Sequence, residues 1–319
     1  MQVAVVVYDG VFDSGLAAIL DVLDNANTLG AQIHEPPPAW NVTMVGPAPQ
    51  ARTAAGLLVT PEPLEHARTA DLLVVPARAG SDPAALLDYV GGDTSLPVRD
   101  LIAQARNRGT TIASACAGTF LLAEAGILDG VRATTTWWLS PAFRARYPKV
   151  QLDYSQMVIT CEDIITAGAA FGHIDLALAI VRAASPSLAD LVSRYLVVDE
   201  RPAQSAYTIP SALAQSDPTV AAFERWIREH LAEPISITDA AKAIGVSERT
   251  LQRSVQRTIG TSPIRFVQDL RIERAGHLLR TTGLSVEAIS RKVGYEHAHT
   301  LRVLLRERTG KTTSALRGR

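Results

Sequence analysis

The sequence has few cysteines and no long apolar run, and each absence excludes a class of protein. Two cysteines, Cys116 and Cys161, in 319 residues are too few for a disulfide framework or a zinc cluster. No apolar run reaches the length of about eighteen residues that a membrane-spanning helix requires. The N-terminal apolar stretch lacks a basic flank and a cleavage-like site, so we expect a cytoplasmic protein. We expect no cofactor, no metal and no membrane partner.

The net charge of −1 conceals two parts of opposite sign. Residues 220–319 contain 18 Lys and Arg against 10 Asp and Glu, a net charge of +8, whereas the rest of the chain carries 13 against 22. A basic domain of this size is typical of proteins that neutralise phosphates, and an acidic domain avoids nucleic acid. Length alone also favours two domains. The composition therefore predicts two domains with different partners.

The first part of the chain alternates apolar runs with helical patterns, which predicts a doubly wound parallel sheet. The helical patterns are clearest at 15–29 and 96–108. Short apolar runs bounded by Gly, Pro or Asp are typical of strands buried on both faces. Such runs occupy residues 2–8, 40–45, 71–76 and 110–114, followed by a predicted hairpin at 157–160 and 164–166 and a helix at 170–184.

A change in composition marks the boundary between the two domains. Residues 201–218 are rich in Pro, Ser, Ala and Gln without a sustained apolar period, whereas the chain from residue 219 onward has a helical period throughout. We predict an α/β domain at 1–201, a linker at 202–218 and an all-α domain at 219–319.

A near repeat in the helical part suggests DNA binding. Residues 238–257 and 285–306 each contain a short helix, a glycine and a second helix opened by polar residues, with Gly245 and Gly294 in matching places. A glycine allows the sharp turn that positive φ requires, and Ser247 is a typical start for the helix that follows. The repeat predicts two helix-turn-helix units.

The second helix of each unit presents a face able to read base edges. Leu251 and Val255 are assigned inward by their spacing, which leaves Arg and Gln side chains outward, and these pair with guanine and adenine edges. The alternative, a helical protein-interaction domain, is disfavoured by the matched glycines and the net charge of +8. We predict DNA contacts from Ser247, Arg249, Thr250, Gln252, Arg253 and Gln256 in the first unit and from His297, His299, Thr300, Arg302 and Arg306 in the second.

Residues 234–319 resemble the AraC/XylS-type DNA-binding domain. The matching stretches are SITDAAKAIGVSERTLQRSVQRTIGTSPIRFVQDLRIERAGHLL and LSVEAISRKVGYEHAHTLRVLLRERTG, which include both units and the helix between them. The resemblance implies two recognition helices that enter successive major-groove segments on one DNA face, about 34 Å apart. Leu301 and Leu305 replace the family's aromatic residues, and Thr312-Thr313 replaces a Ser-Pro pair. We expect these departures to loosen the second unit without removing it.

In the first domain, residues 110–122 lead from a buried strand through small residues around Cys116 into a helix. A nucleophile at such a turn stands above the sheet beside backbone N–H groups, a setting that lowers the pKa of a thiol. The small side chains of Ala115, Ala117 and Gly118 suit the crowding of this turn. The alternative is an inert buried cysteine.

With its surroundings, the first domain resembles the ThiJ/PfpI-like proteins of the class I glutamine amidotransferase-like, flavodoxin-like fold. The stretches are VYDGVFDSGLAAILDVL, DLLVVPARAG, SACAGTFLLAEAGILDGVRATTTWW and ITAGAAFGHIDLALAIV. The pairing with an AraC-type domain resembles the GlxA subgroup of regulators. In enzymes of the fold, the cysteine works with an acidic residue and often with a histidine. Asp13 and Cys116 match the first two, but Thr136 stands where the histidine is expected.

These departures predict a pocket that binds a ligand without converting it, so we expect no enzyme activity. Threonine cannot act as a base near neutral pH, and Arg78 replaces a glycine of the family's pattern. His173 is expected to be a packed or capping histidine. The expected ligand is a small-molecule effector with an amine and a carboxylate, an amino acid or a quaternary amine. The predicted pocket, at the carboxyl ends of the strands, consists of Asp13, Arg78, Cys116, Ala117 and Thr136.

The resulting hypothesis is a regulator whose binding to double-stranded promoter DNA changes when the first domain takes up the effector. A homodimer formed through the α/β domain and contact with RNA polymerase are further expectations. Two alternatives stay open. One is a cysteine-dependent enzyme, isocyanide-hydratase-like or glyoxalase-like, with a DNA-binding tail; the other is a redox sensor based on oxidation of Cys116.

Overall fold

A computed structural model describes residues 1–199, 201, 203–204 and 207–318. Residues 202, 205 and 206 of the predicted linker, residue 200, and residue 319 of the predicted C-terminal domain lie outside the described residues. The chain forms two compact units, Met1–Gln204 and Ser205–Arg319. No helix in the described part of the chain has the length and apolar character needed to cross a membrane.

The first unit is built on a seven-stranded sheet. Its described strands are β1 (Gln2–Val6), β2 (Asn41–Gly46), β3 (Ala51–Arg52), β4 (Leu58–Val59), β5 (Glu62–Pro63), β6 (Leu72–Val75), β7 (Thr111–Ala115), β8 (Arg132–Ala133), β9 (Gln151–Leu152), β10 (Val158–Cys161) and β11 (Ile164–Ala167). The order across the sheet is β10-β11-β7-β6-β1-β2-β5, and every neighbouring pair is parallel except β10 with β11. β3 with β4 and β8 with β9 form separate two-stranded sheets.

Helices cover both faces of this sheet. They are α1 (Asp13–Gly30), α2 (Pro83–Gly91), α3 (Leu96–Asn107), α4 (Gly118–Glu124), α5 (Ser140–Arg146), α6 (Gly172–Ala184) and α7 (Pro186–Tyr195), with 3₁₀ turns at Leu64–Thr69, Asp93–Ser95 and Trp137–Leu139. Successive residues of β1 point to opposite faces, so that Val5 packs in the core with α1, α6 and α7, and Val6 packs in the core with α2, α3 and α4. Both side chains are fully buried.

The sheet agrees with the prediction from sequence. The four predicted apolar strands correspond to β1, β2, β6 and β7, and the predicted hairpin is the antiparallel pair of β10 and β11. Strands buried on both faces appear in a sequence as continuous apolar runs, which is why these four could be located. The doubly wound α/β fold is confirmed.

Helices are the only regular secondary structure in the described residues of the second compact unit. Its helices are α8 (Pro210–Ala214), α9 (Pro218–Glu229), α10 (Ile237–Ala243), α11 (Glu248–Thr258), α12 (Pro263–Thr281), α13 (Val286–Lys292), α14 (Ala298–Thr309) and α15 (Thr313–Leu316). α10 with α11 and α13 with α14 form the two predicted helix-turn-helix units, and α12 packs against both. Gly245 and Gly294 stand between the paired helices with φ of 76° and 79°, in the left-handed region that glycine enters without strain.

The interval predicted as a linker is divided between the two units. Gln204 is fully buried in the first unit, and α8 packs on α9 and α12 in the second. Asp217 caps α9 by accepting hydrogen bonds from the N–H groups of Thr219 and Val220, at 2.9 Å and 3.1 Å. Two of the prolines that suggested a linker, Pro210 and Pro218, stand instead in the first turns of α8 and α9, where proline is favoured.

Candidate functional site

Cys116 occupies the sharp turn between β7 and α4. Its φ is 55°, a left-handed backbone that residues with a Cβ rarely adopt and that clusters at functional sites. Its N–H donates to the carbonyl of Ala167 at 2.8 Å, and its carbonyl accepts from the hydroxyl of Thr135 at 2.7 Å. A Cβ on Gly118 would lie 2.6 Å from the carbonyl oxygen of Val75, so the turn depends on that glycine. The sharp turn expected from the sequence is present.

The Cys116 thiol is held in its protonated form. Burial raises its pKa to about 11, which outweighs the opposite effects of the Ala117 N–H and the Thr136 hydroxyl. Thr136 is fully buried, and its hydroxyl has no other partner among the described residues. The sequence left two alternatives open, a thiol whose pKa is lowered by the strand-to-helix turn and an inert buried cysteine. The raised pKa favours the second, because the loss of solvation at this buried position exceeds the stabilisation from the helix start.

His173, at the start of α6, uses both ring nitrogens to bind backbone. Nδ1–H donates to the carbonyl of Ala170 at 2.7 Å, and Nε2 accepts from the N–H of Ala77 at 3.1 Å. The ring is buried against Phe12, with 5.9 Å between ring centres, and burial lowers its pKa to about 4. His173 therefore has the packed role that the sequence favoured, and it fixes the segment leading to Arg78.

Arg78 stands beside two tyrosines. Its guanidinium carbon lies 4.6 Å from the centre of the Tyr89 ring, which in turn stacks on Tyr8 with 5.9 Å between centres. Its Nε is buried without a hydrogen-bond partner, and Arg78 forms no ion pair within the described ranges. Tyr8, Arg78 and Cys116 follow the adjacent strands β1, β6 and β7, so they meet at one edge of the sheet. Among the described residues Arg78 is thus a cation without an ion-pair partner, and it follows the strand next to the one that leads to Cys116.

Asp13, the first residue of α1, lines a cleft whose other residues do not include Arg78 or Cys116. Thr53 and the Ala55 N–H hold the pKa of its carboxyl below the usual range, and the Ala55 N–H donates to Oδ2 at 2.8 Å. Oδ1 is buried and has no hydrogen-bond partner in the part of the chain that the structure describes. Asp13 lines a cleft of about 380 Å³ together with Leu16, Ala17, Leu20, Met44, Thr53, Leu57, Leu58, Val59 and Thr60. The structure thus groups Cys116, Ala117 and Thr136 and brings Arg78 to the same edge of the sheet, whereas Asp13 lines the cleft just described.

Gln204, which was predicted to lie in the linker, belongs to the surroundings of Thr136. Its carboxamide donates to the Thr134 hydroxyl at 3.1 Å and to the Thr135 carbonyl at 2.8 Å, and it accepts from the Trp137 N–H at 3.2 Å. Gly168 leaves room for it, since a Cβ there would overlap the carboxamide. Gln204 therefore fixes the run that carries Thr136. No local pattern could reveal a contact between residues 70 positions apart.

In the helical part of the chain, α11 of the first helix-turn-helix unit exposes the face predicted to contact DNA. Leu251 and Val255 are fully buried, and Ser247 caps the helix by accepting from the Thr250 N–H at 3.1 Å. Arg249 and Arg253 form no ion pair with any described residue, which leaves both guanidinium groups available to a ligand. The exposed residues include all six predicted contacts: Ser247, Arg249, Thr250, Gln252, Arg253 and Gln256.

The corresponding face of α14 is also exposed, but one of its arginines is already paired. Nη2 of Arg302 lies 2.9 Å from Oε1 of Glu287 on α13. Leu301 and Leu305 are fully buried in the core formed with α12 and α13, so leucine fills the positions expected to loosen this unit. Thr312 caps α15 by accepting from the Ala315 N–H at 3.2 Å. The exposed predicted contacts are His297, His299, Thr300, Arg302 and Arg306.

An α/β domain with a buried cysteine turn, followed by two helix-turn-helix units with exposed Arg and Gln faces, defines a DNA-binding transcriptional regulator. Residues 1–183 match the DJ-1/PfpI family, and the chain belongs to that family. Residues 240–319 match a helix-turn-helix domain. Both resemblances expected from the sequence are confirmed.

The chain is similar to named transcriptional regulators over most of its length. The chain is 29% identical over 286 residues to the HTH-type transcriptional regulator CdhR of Pseudomonas aeruginosa, covering 88% of this chain and 81% of the relative. It is 24% identical over 221 residues to the HTH-type transcriptional regulator GlxA of Rhizobium meliloti, covering 68% and 66%. A ThiJ/PfpI family protein from Pseudomonas syringae has a similar fold, with a TM-score of 0.52, 19% identity and coverage of 76% of this chain and 89% of that chain.

Proposed function

We propose that the DJ-1/PfpI domain is a sensor that binds a small metabolite without converting it. Binding of this metabolite changes the affinity of the helix-turn-helix domain for promoter DNA. The observation that carries the proposal is the state of Cys116, a residue at a nucleophile's turn whose thiol is buried and has a pKa of about 11.

The surroundings of Cys116 oppose an enzymatic role. A cysteine nucleophile needs a lowered pKa or a base within about 2.6–3.2 Å. With a pKa of about 11, only about one thiol in ten thousand is ionised at neutral pH. The groups that act on the thiol are the Ala117 N–H and the Thr136 hydroxyl, and neither accepts a proton near neutral pH. Both nitrogens of His173 are used by backbone groups.

Arg78 indicates the chemical class of the effector. A half-buried guanidinium without a counter-charge suits a carboxylate, which it binds through two parallel hydrogen bonds. Tyr8 and Tyr89 stack on each other and the guanidinium lies over the Tyr89 ring, so these rings hold Arg78 in place for such a ligand. We therefore infer an amino acid or a betaine, bound by Arg78 beside Cys116, Ala117 and Thr136. Asp13 faces its own cleft, so we expect it to contribute little to the affinity for this effector.

The proposal includes a homodimer in the cytoplasm, formed through the DJ-1/PfpI domain. Two copies on one DNA would double the number of phosphate contacts, and each contact adds affinity that falls with salt concentration. A regulator at a promoter also lies within reach of RNA polymerase, which we include as a partner.

Binding of the purified full-length protein to genomic fragments tests the proposal. The fragments include the one upstream of its own gene, and the assay runs at fixed salt with a panel of amino acids and betaines. Each compound is paired with its decarboxylated analogue. We expect one carboxylate compound to change the binding, its analogue to have no effect, Arg78→Met to lose the response and Asp13→Asn to keep it.

Two other outcomes would replace this function. Consumption of an added compound, followed by nuclear magnetic resonance and abolished by Cys116→Ala, would favour the enzyme. A change in DNA binding after peroxide, with a trapped sulfenic acid at Cys116, would favour the redox sensor. Specific DNA binding that responds to no compound would contradict the sensor proposal while leaving the DNA-binding role intact.

A further inference from the structure

The two helix-turn-helix units are connected through Arg271, near the middle of α12. Its Nη1 donates to the carbonyl of Gly294 at 3.1 Å, and its Nη2 donates to the carbonyl of Glu233 at 2.7 Å. Gly294 is the turn glycine of the second helix-turn-helix unit. Glu233 lies in the segment between α9 and α10 that leads into the first helix-turn-helix unit. One guanidinium therefore binds the turn of the second helix-turn-helix unit and the segment just before the first.

The packing around this contact is close. A Cβ on Gly294 would lie 2.5 Å from the carbonyl oxygen of Leu231 and 2.6 Å from Nη2 of Arg271. The turn of the second unit thus lies directly against the segment that enters the first unit. The ring of Tyr295 covers the guanidinium from one side, with its centre 5.4 Å from the guanidinium carbon.

Each recognition helix is also anchored to its own support. At the end of α14, Nε of Arg308 lies 3.3 Å from Oδ1 of Asp269 on α12. At the end of α11, Nη2 of Arg257 donates to Oδ2 of Asp217 at the start of α9, at 2.6 Å. These contacts hold each recognition helix on a supporting helix, whereas Arg271 connects the second helix-turn-helix unit to the segment that precedes the first.

We propose that Arg271 is a positioning residue that sets the separation and rotation of the two recognition helices, and thereby selects operators by the spacing of the two DNA segments. Apolar packing is non-directional and tolerates small shifts. The planar guanidinium holds its donors in a fixed fork, so two carbonyls bound to it keep a fixed relation. One added base pair moves a DNA segment by about 3.4 Å and rotates it by about a tenth of a turn. This proposal depends on DNA binding by the helix-turn-helix domain and not on the effector.

The test begins with an operator selected from a random library by the full-length wild-type protein at fixed salt. Three duplexes are then compared. They are the selected operator, the same operator with one base pair inserted between the two segments that the recognition helices contact, and the operator with the second of these segments scrambled. The variants are Arg271→Ala and Arg271→Lys. Arg274→Ala is the matched control, because Arg274 is exposed on the same helix and has no partner among the described residues.

We expect the insertion to weaken binding about tenfold for wild type and for the control, and by less than about threefold for Arg271→Ala. The affinity of Arg271→Ala for the scrambled duplex should equal that of wild type, because each helix-turn-helix unit stays folded. Arg271→Lys should fall between, since one ammonium cannot hold both carbonyls in a fork, and it keeps the test available if the alanine variant unfolds. Full spacing selectivity in the variants, or an equal loss of affinity on all three duplexes, would overturn the proposal.

Discussion

The imidazole of His173 occupies the space that a side chain at position 15 would need. A Cβ on Gly15 would lie 2.7 Å from both Cε1 and Nε2 of the ring. Glycine within a helix costs about 0.5–1 kcal/mol relative to alanine, so α1 is less stable than its sequence could make it. In return α1 and α6 approach closely, and His173 reaches the backbone of Ala77 next to Arg78.

Gly15→Ala should therefore lower the free energy of unfolding of the DJ-1/PfpI domain by about 1–3 kcal/mol, as overpacking does in a rigid core. Urea unfolding followed by circular dichroism measures this loss. Gly30→Ala, at the other end of α1, is the control, because a Cβ there would make only an ordinary contact with Pro36 at 3.8 Å. Equal stability of the two variants would contradict the close approach.

Cys116 should react slowly with alkylating agents. Its pKa of about 11 means that the reactive thiolate becomes abundant only as the pH rises toward 11, whereas half-exposed Cys161 lacks this burial. Mass spectrometry after iodoacetamide treatment at pH 8 should show modification at Cys161 and almost none at Cys116. Cys161→Ser provides a protein in which the remaining thiol is followed alone. Rapid alkylation of Cys116 at pH 7 would show a lowered pKa instead.

Arg253→Ala should weaken specific DNA binding by about 1–3 kcal/mol and relax the preference for one base pair, if its free guanidinium reads a guanine edge. Competition between the selected operator and single-base variants measures this change. Arg225→Ala, on the exposed surface of α9, is the control for loss of one positive charge. A uniform loss across all sequences would assign Arg253 to a phosphate contact.

Gln204→Ala should release the run that carries Thr136. The Trp137 N–H loses its acceptor and Thr135 loses a donor, so amide hydrogen exchange at residues 134–137 should accelerate. Gln104→Ala, which removes an exposed carboxamide on α3, should leave this exchange unchanged. Unchanged exchange in both variants would mean that the run is held by its other contacts.

The elements that the sequence predicted are those with a strong local pattern. β1, β2, β6 and β7 are continuous apolar runs, and α11 has Leu251 and Val255 at helical spacing, so both could be located from local sequence. The two-residue strands β3, β4, β5, β8 and β9 are too short to show a period. The prolines near residues 210 and 218 were compatible with either a linker or a helix start.

The details of the site depend on contacts that no local pattern contains. The pKa of Cys116 is governed by the burial of the whole turn, and the direction of Asp13 is governed by Thr53 and Ala55, which are 40 or more positions away. Cys116, Thr136 and Arg78 could be named because the resemblance to ThiJ/PfpI-like proteins places each at a position of the family's pattern. It could not assign Gln204, whose neighbours do not mark it.

Gln204 is also the last residue of the first unit, so the point at which the chain departs is the point at which the Thr136 run is closed. A molecule bound beside Cys116 that displaced the carboxamide would therefore also release the end of the DJ-1/PfpI domain from the run that carries Thr136.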